Sequence, residues 1–411
     1  MHIGHIWIDA TRPTSDLPMF GMTLLERQLR TIVEAGLHPT TISVHLAPGS
    51  APPSSLPDSL TRELPLQWSQ NGESLQKHLT QALQQTSGTP LLALEADAVV
   101  DSRVLQYIGE QSGSLAARGG DGAERTAVVR LESGASLAGP ANAQLSELVE
   151  ASISQGTLRE LPLQEIPAHI KKLRRDLPPY LFRVTDAAKR DEAERFLFWS
   201  NYKGSTDFFT KYVYPPLVWR MVRPLARWRV HPNVVTLLSI VLTLWAVPLF
   251  AQGRWVAGLL MAYTMSVLDS VDGKLARLTF RSSWFGNVLD HGLDLIHPPL
   301  WYFGWAWALG NGDMTSPIFQ AAIWMAVFYS LDRVVVRLFT TRIGRSLHSY
   351  TPFDVQMRTY ISRRNINLPL FTVGLILGIP GFAFFLIVLW QVVTLVYHTT
   401  RLVQCWDAKN E

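Results

Sequence analysis

The spacing of apolar residues divides the chain near residue 200. Before that point, short apolar runs alternate with stretches whose apolar residues recur every three or four positions. Beyond it, the apolar runs lengthen toward the ~20 residues that a helix needs to cross a bilayer. This change predicts an N-terminal α/β half joined to an all-α, polytopic membrane half of about six transmembrane helices.

The N-terminal half is predicted to alternate between strands and helices. The pattern indicates strands at residues 3–8, 41–46, 90–94 and 127–131 and helices at residues 22–35, 74–85 and 102–111. Such alternation is typical of a parallel, doubly wound sheet. We therefore expect three parts, which are a cytosolic α/β domain over residues 1–185, a linker with an interfacial helix over 186–230 and a transmembrane domain over 231–411.

The C-terminal half contains six apolar stretches of roughly bilayer-spanning length. They cover residues 234–251, 255–274, 284–309, 317–336, 368–386 and 382–396, and the last two overlap at a turn signal. Lysine and arginine concentrate after the second and fourth stretches, which predicts that those connections and both termini are cytoplasmic. The first ten residues show no signal-peptide pattern, so we expect a multi-pass protein of the bacterial inner membrane.

Composition agrees with a lipid bilayer as partner. The formal net charge of +4 is too small an excess to indicate nucleic-acid binding. Of the 14 Trp residues, only Trp7 and Trp68 precede residue 194, and the others lie where aromatic side chains anchor membrane helices. The single cysteine, Cys405, excludes an intrachain disulfide.

Four aspartates in two apolar segments carry the candidate chemistry. At ~100° per residue, Asp269 and Asp272 share one face of a helix, and Asp290 and Asp294 share one face of the next. Four carboxylates in an apolar setting are costly unless cations compensate them. They predict a two-metal phosphoryl-transfer site at the cytoplasmic face. The alternative, a set of interhelical salt bridges, has only three basic residues nearby in sequence.

The same run reads Asp-x2-Asp-Gly-x2-Ala-Arg-x8-Gly-x3-Asp-x3-Asp, in which Gly273, Ala276, Arg277 and Gly286 join the four aspartates. It resembles, at every defining position, the motif of the CDP-alcohol phosphotransferase family, also called CDP-alcohol phosphatidyltransferases. A run of eight residue types at set spacings is specific. The resemblance therefore implies the reaction of that family.

The resemblance also implies roles for individual residues. Asp269, Asp272, Asp290 and Asp294 would hold two divalent cations, Mg²⁺ or Mn²⁺, and Asp294 would act as the catalytic base. The CDP nucleotide would lie near the following residues: Asn233, Thr236, Asp269, Gly273, Ala276, Arg277 and Gly286. His291 and His297 are alternative bases because imidazole titrates near neutral pH, although packing is the expected role of His291.

Three segments lie before or after the motif in the chain. One has a counterpart in the family, and each of the other two has two interpretations. Residues 231–236 resemble the Pro-Asn-x-x-Thr entry to the first membrane helix of the family. Residues 207–229 mix aromatic, aliphatic and arginine side chains, which indicates an interfacial helix or a simple juxtamembrane linker. The arginines of residues 333–364 could bind an acceptor's phosphate, as in relatives that use phosphorylated alcohols, or could anchor the chain at anionic lipid.

The N-terminal half resembles a second family. Residues 19–36 and 92–97 are similar to the segment after the nucleotide loop and to the metal-binding strand end of sugar-phosphate nucleotidyltransferases. Residues 9–16, where a glycine-rich phosphate loop is expected, contain no glycine. We therefore predict a degenerate domain. The order of parts resembles the bifunctional inositol-phosphate cytidylyltransferase/di-inositol-phosphate-phosphate synthase fusions.

Three functional hypotheses follow. The first is a phospholipid synthase that transfers a substituted phosphate from CDP-diacylglycerol to an alcohol or phospho-alcohol and releases CMP. The second is a fusion-type enzyme that uses a soluble CDP-alcohol donor. The third is a non-catalytic membrane scaffold. The family resemblance also implies a possible homodimer.

Overall fold

The computed structural model describes residues 3–70, 74–86, 88–140, 143–170 and 172–406, apart from the side chains of residues 285, 287–291 and 293–296. The chain forms two compact units. One contains Met1–Ile170 and Asp176–Ser200, and the other contains Lys171–Arg175 and Asn201–Glu411. The segment 186–230, treated above as a linker, therefore begins with a helix of the first unit.

The strands are short and lie before residue 184. They are β1 (His5–Ala10), β2 (Pro18–Met19), β3 (Met22–Thr23), β4 (Thr41–Leu46), β5 (Leu66–Ser69), β6 (Leu91–Glu95), β7 (Ala98–Val100), β8 (Leu115–Gly119), β9 (Thr126–Leu131), β10 (Arg159–Glu160), β11 (His169–Ile170), β12 (Arg175–Asp176) and β13 (Leu181–Arg183). The helices of the first unit are α1 (Leu24–Glu34), α2 (Asp58–Glu63), α3 (Leu75–Gln84), α4 (Ser102–Glu110), α5 (Leu145–Ser154) and α6 (Ala187–Ser200).

The first unit is built on a seven-stranded sheet with the strand order β10-β8-β9-β6-β1-β4-β5. Strand β1 lies parallel to both β4 and β6, which confirms the α/β prediction for the middle of the sheet. The prediction of an all-parallel sheet is wrong at β9, which runs antiparallel to β6 and to β8. Only a short turn joins β8 to β9, and a parallel pair would need a crossover connection.

Apolar side chains from alternate positions of β1 pack on opposite faces of this sheet. Ile6 and Ile8 join a core cluster that includes residues of α1, α2 and α4. Trp7 joins a second cluster that includes residues of α3 and α5. The helices therefore cover both faces of the sheet, as the period of two along a strand requires.

His45 on β4 predicts an acid sensitivity of the first unit. Its Nδ1 lies 3.0 Å from Ser69 Oγ, and its ring centroid lies 4.0 Å from that of His78. Burial, together with the charge of His78, lowers the pKa of His45 from 6.5 to about 4. The unfolded chain therefore binds the proton first, so stability should fall as the pH drops from 6.5 toward 4.

We expect His45→Gln to reduce this loss, because glutamine can still pair with Ser69 but does not titrate. The measurement is the free energy of unfolding of the first unit in urea at pH 7.5, 6 and 5. Hydrogen exchange of the sheet amides serves as the readout. His169→Gln is the control, since this imidazole is exposed. Equal pH dependence in wild type and His45→Gln would contradict the prediction.

The second unit is helical. Its helices are α7 (Pro215–Arg227), α8 (Pro232–Ala251), α9 (Trp255–Leu278), α10 (Trp284–Leu309), α11 (Pro317–Ile343), α12 (Pro352–Met357), α13 (Arg364–Ile376) and α14 (Pro380–Gln404). A π-helical turn at Phe209–Val213 precedes α7. Aromatic side chains fill the core of the bundle, where Trp305 of α10 stacks on Phe371 of α13 with centroids 4.0 Å apart.

The helices coincide with the first four predicted spans but not with the fifth. Residues 368–386 are not one helix, because α13 ends at Ile376 and α14 begins at Pro380. Gly378 has φ +73° between them, a conformation that glycine adopts without steric cost. Proline at the start of α14 then suits the first helical turn, where an N–H has no partner anyway.

Within the described residues, two helices are long and apolar enough to cross a membrane. They are α8, with mean hydropathy 2.3, and α14, with mean hydropathy 1.9. Helices α9, α10 and α11 have 24, 26 and 27 residues but carry ionisable side chains within their length. Helix α13 has 13 residues. The predicted number of six spans therefore stays a prediction.

Candidate active site

The eight residues of the motif lie on two helices of the second unit. Asp269, Asp272, Gly273, Ala276 and Arg277 belong to α9. The motif continues on α10, where Gly286 lies in the first turn and positions 290 and 294 follow in the same helix. The side chains of Asp290, Asp294 and His291 lie outside the described residues, so their predicted roles stay predictions.

Asp272 is buried and held by helix α8. Thr236 Oγ1 donates a hydrogen bond of 2.7 Å to Asp272 Oδ2, and Thr236 is itself buried. The backbone N–H of Gly273 donates to the other carboxylate oxygen at 2.6 Å. These contacts fix the orientation of the Asp272 carboxylate. Thr236, predicted above as a neighbour of the nucleotide, is thus a direct partner of a predicted metal ligand.

Asp269 pairs with an arginine that lies 95 residues further along the chain. Arg364 Nη2 donates to Asp269 Oδ2 at 2.8 Å, and Arg364 Nη1 lies 3.0 Å from His297 Nε2. His297 is buried against Trp301, with ring centroids 5.1 Å apart. The sequence pattern did not indicate this pairing, although Arg364 ends the arginine-rich segment that it singled out.

Asn233 and Gly286 meet where α8 and α10 begin. Ser283 Oγ donates to Asn233 Oδ1 at 3.1 Å and accepts from the N–H of Gly286 at 3.0 Å. A Cβ on residue 286 would lie 2.8 Å from Asn233 Oδ1. Glycine is therefore required here by a close approach, which agrees with its place in the motif.

A cavity of about 560 Å³ opens beside Asp269 within the second unit. Nine basic residues line it, namely Arg174, Lys203, Lys274, Arg277, Arg333, Arg337, Arg358, Arg363 and Arg364. Its acidic lining residues are Asp207 and Asp269. Among the lining residues whose side chains the structure describes, basic residues outnumber acidic ones nine to two, so the ligand class that this part of the cavity suits is anionic.

Several lining residues precede the motif and were not predicted. Tyr202 lies over Lys274, whose Nζ is 2.9 Å from the ring centroid. Desolvation by burial raises the pKa of Tyr202, so its hydroxyl stays protonated. Asn201, Lys203 and Asp207 belong to the same short segment. Its only sequence signal was a cluster of polar residues ahead of the interfacial helix.

The described carboxylates have the chemistry of a divalent-cation site. Oxygen donors of this kind are the ligands that Mg²⁺ and Mn²⁺ prefer. Among residues with described side chains, however, no group of three His, Cys, Asp or Glu residues lies close enough to hold a metal ion. Asp269 and Asp272 are the two predicted ligands with described side chains, and they fit as half of a donor set.

The first unit has an ion cluster at the ends of β1 and β6. Arg12 follows β1 and donates to Glu95 Oε1 at 2.9 Å and to Asp97 Oδ1 at 3.2 Å. Arg183 donates to both oxygens of Glu95 at 2.6 Å, and Thr14 Oγ1 donates to Asp97 at 2.7 Å. The carboxylates at this sheet edge are therefore already neutralised by the protein.

Comparison with known proteins places this helical unit in a family. Residues 229–402 match the family model described as CDP-alcohol phosphatidyltransferase. An archaetidylinositol phosphate synthase from Aeropyrum pernix is 40% identical over 78 residues, which are 19% of this chain and 40% of that protein. The chain thus spans about two fifths of the length of this curated relative.

Solved structures are similar to each half. A crystal structure of Mycobacterium tuberculosis phosphatidylinositol phosphate synthase with CDP-DAG bound is 21% identical, covers 47% of this chain and 94% of that chain, and gives a TM-score of 0.37. A structure of UDP-glucose pyrophosphorylase with UDP-glucose is 10% identical, covers 48% and 100%, and gives 0.33. Residues 229–402, with the motif of Asp269 to Asp294, are a CDP-alcohol phosphatidyltransferase domain, and the C-terminal half of this chain belongs to that family.

Proposed function

We propose that this chain is a membrane CDP-alcohol phosphotransferase that uses CDP-diacylglycerol and releases CMP. The observation that carries this proposal is the position of the family motif on α9, where Asp269 borders a cavity rich in arginine and lysine. Both substrates of such a reaction bear phosphate. A cavity with nine basic residues suits them, whereas a scaffold would have no need of it.

The reaction would be a direct displacement at phosphorus. The acceptor hydroxyl attacks the phosphorus that bears the lipid alcohol, a new P–O bond forms, and the P–O bond to CMP breaks. Divalent cations held by Asp269, Asp272, Asp290 and Asp294 would supply charge neutralisation for the pyrophosphate. Asp294 takes the proton of the acceptor hydroxyl.

The other residues of the site would bind and orient. Thr236 holds the Asp272 carboxylate through its hydrogen bond, and Arg364 holds Asp269. Arg277 lines the cavity and would pair with a donor phosphate. Gly273 and Gly286 leave room for close approach of the nucleotide, with Ala276 and Asn233 alongside.

The apolar faces of the helices support a location in the bilayer. On α8, Leu237, Leu244 and Trp245 expose 60%, 53% and 63% of their surface on one side of the helix. Helix α14 exposes Phe382 and Leu389 in the same way. Faces of this size on a protein without lipid indicate contact with hydrocarbon. We propose six spans, with both termini and the site at the cytoplasmic face, so that a lipid donor enters from the membrane.

The acceptor is proposed to be a phosphorylated alcohol. The basic residues outnumber what the donor pyrophosphate needs, and they extend along α11 from Arg333 to Arg337 and on to Arg358. The Aeropyrum relative is an archaetidylinositol phosphate synthase, a name that refers to an inositol phosphate. An inositol phosphate is therefore the favoured acceptor.

The test is CMP release by the purified full chain in detergent with Mg²⁺ or Mn²⁺. Donors are CDP-diacylglycerol and soluble CDP-alcohols, and acceptors are inositol 1-phosphate, glycerol 3-phosphate, inositol, glycerol and serine. Release that requires the lipid donor and a phosphorylated acceptor supports the proposal. Release with a soluble donor alone would favour the fusion-type alternative, and no release with any pair would leave the scaffold.

The close approach at Gly286 predicts a sensitive position. In Gly286→Ala, the added methyl group would meet Asn233 and Ser283, so the start of α10 must shift. Because sub-ångström displacements near reacting groups are costly, we expect CMP release to fall about tenfold to a hundredfold. Gly292→Ala is the matched control, since no described atom lies within 4 Å of the position that its Cβ would take. Equal activity of both variants would contradict this prediction.

For the first unit we propose no nucleotidyl transfer. Arg12 pairs with Glu95 and Asp97, the carboxylates at the sheet edge where a catalytic cation would bind. The chain between β1 and Pro18 has no glycine to wrap a triphosphate. CTP consumption by the full chain, with or without inositol 1-phosphate, would contradict this proposal.

A homodimer is also proposed for this chain. Its test is the mass of the purified protein in lipid nanodiscs.

A further inference from the structure

Residues 172–175 form a short excursion of the chain, which leaves the first unit and folds with the second. At its base, the N–H of Leu177 donates a hydrogen bond of 2.8 Å to the carbonyl of Ala168. Its far end is anchored, since Leu173 is buried and its carbonyl accepts from the N–H of Gly204 at 2.9 Å. Arg175 Nη1 donates to the carbonyl of Tyr202 at 3.3 Å. The excursion therefore has a defined position in the second unit.

Arg174 is held by this excursion in an unfavourable backbone conformation. Its φ is +52°, in the left-handed region where a residue with a Cβ is strained. Gly204 packs beneath it, and a Cβ there would lie 2.7 Å from Arg174 O. The strained residue is also one that lines the cavity. Strain of this kind at a ligand-facing residue indicates that its position serves binding.

Arg174 belongs to a group of four arginines with Arg363, Arg358 and Arg333, of which Arg333 pairs with Asp332 at 3.5 Å. Within the described ranges, no carboxylate forms an ion pair with Arg174. Burial lowers the pKa of Arg174, and the charge of Arg363 adds to this effect. Burial likewise lowers the pKa of Arg358, helped by the charges of Arg363, Arg333 and Arg174. Four cations therefore act on one another across this part of the cavity.

Arg358 is the buried member of this group of four arginines. It is 7% exposed, and its Nη1 lies 3.0 Å from His348 Nε2, while its Nε has no hydrogen-bond partner among the described atoms. Asp207 is the carboxylate whose charge acts on Arg358. Both of its oxygens already accept hydrogen bonds, from Thr210 and Asn365. An anion in the cavity would offset the cost of burying this guanidinium group.

We propose that Arg174 binds the phosphate group of a phosphorylated alcohol acceptor, together with Arg333, Arg358 and Arg363. This inference rests on the proposed function and extends it to a residue outside the matched family segment, residues 229–402. Arg174 therefore determines acceptor specificity. The donor pyrophosphate belongs to the other part of the cavity, beside Asp269.

The test compares Arg174→Gly and Arg174→Ala with Lys172→Ala in the full chain. Glycine adopts φ +52° without strain, so it removes the side chain while keeping the excursion in place. Lys172 is exposed and does not line the cavity, which makes it the matched charge control. The readouts are KM for inositol 1-phosphate and glycerol 3-phosphate, KM for CDP-diacylglycerol, and the rise in unfolding midpoint caused by inorganic phosphate.

Loss of one charge-assisted contact should raise the acceptor KM about tenfold to a hundredfold in both Arg174 variants. The donor KM and the activity with unphosphorylated alcohols should stay unchanged, and inorganic phosphate should stabilise Arg174→Gly less than Lys172→Ala. An unchanged acceptor KM in Arg174→Gly would overturn the role of Arg174 while the proposed function stands. A raised donor KM instead would assign Arg174 to the donor and also overturn it.

Absence of CMP release with every acceptor would overturn the proposed function. The phosphate measurement then decides about Arg174 separately. Weaker stabilisation of Arg174→Gly than of Lys172→Ala by inorganic phosphate supports the site, and equal stabilisation overturns it.

Discussion

Replacing Asp269 by asparagine is expected to lower CMP release by a factor on the order of 10²–10³. The substitution removes one carboxylate from the predicted cation site, and it also removes the negative partner of Arg364, whose Nη2 lies 2.8 Å from Asp269 Oδ2. Arg364 would then lose this negative partner beside the proposed donor site. Loss of a metal ligand lowers cation affinity, so raising Mn²⁺ should restore part of the activity.

The measurement is single-turnover CMP release at several Mn²⁺ concentrations. Asp313→Asn is the matched control, because Asp313 makes only local hydrogen bonds to Thr315 in an exposed loop. It should keep wild-type activity within about twofold, as expected for surface substitutions. Wild-type activity in Asp269→Asn would show that this carboxylate has no part in the reaction.

Asp272→Asn should lower CMP release to a similar extent, but the local contacts that it changes are different. The hydrogen bond from Thr236 Oγ1 fixes the carboxylate, and the variant amide can present its NH₂ group to the same oxygen. Thr236→Val, which removes that hydrogen bond but keeps the Asp272 carboxylate, should therefore lower activity by less than Asp272→Asn does.

Arg183→Met is expected to destabilise the first unit by about 3–5 kcal/mol. Glu95 is fully buried and accepts two hydrogen bonds of 2.6 Å from Arg183. Methionine keeps much of the apolar volume but leaves Glu95 with Arg12 as its remaining cationic partner. A buried carboxylate that loses a cation is costly, because the protein interior cannot replace its hydration.

The loss in the free energy of unfolding is measured in the full chain by hydrogen exchange of the β1 and β6 amides at increasing urea concentrations. Arg118→Met is the control, since Arg118 and Glu160 also lie 2.6 Å apart but are 37% and 41% exposed. An exposed pair contributes about 0–1 kcal/mol, so the control should remain close to wild type. Similar free energies of unfolding in the two variants would mean that burial does not determine the strength of this cluster.

The amino-acid sequence by itself was sufficient to predict the family of residues 229–402 and most helices of the second unit. Local periodicity was sufficient for α8, α10 and most of α11, because a helix depends on neighbours three and four positions away. The motif on α9 and α10 was readable for the same reason. Local signals failed at β9, where the direction of a strand depends on the length of its connection. At the break before Pro380 a turn signal was present, but the predicted fifth span ran across it.

Only the tertiary structure decided which side chains meet across long sequence separations. The contact of Asp269 with Arg364, the bond of Thr236 to Asp272 and the entry of Arg174 into the cavity each join segments that are far apart in the chain. No periodicity encodes such contacts, because they depend on how helices pack and where loops run. The sequence identified the four aspartates, whereas only the fold determined the charge beside Asp269.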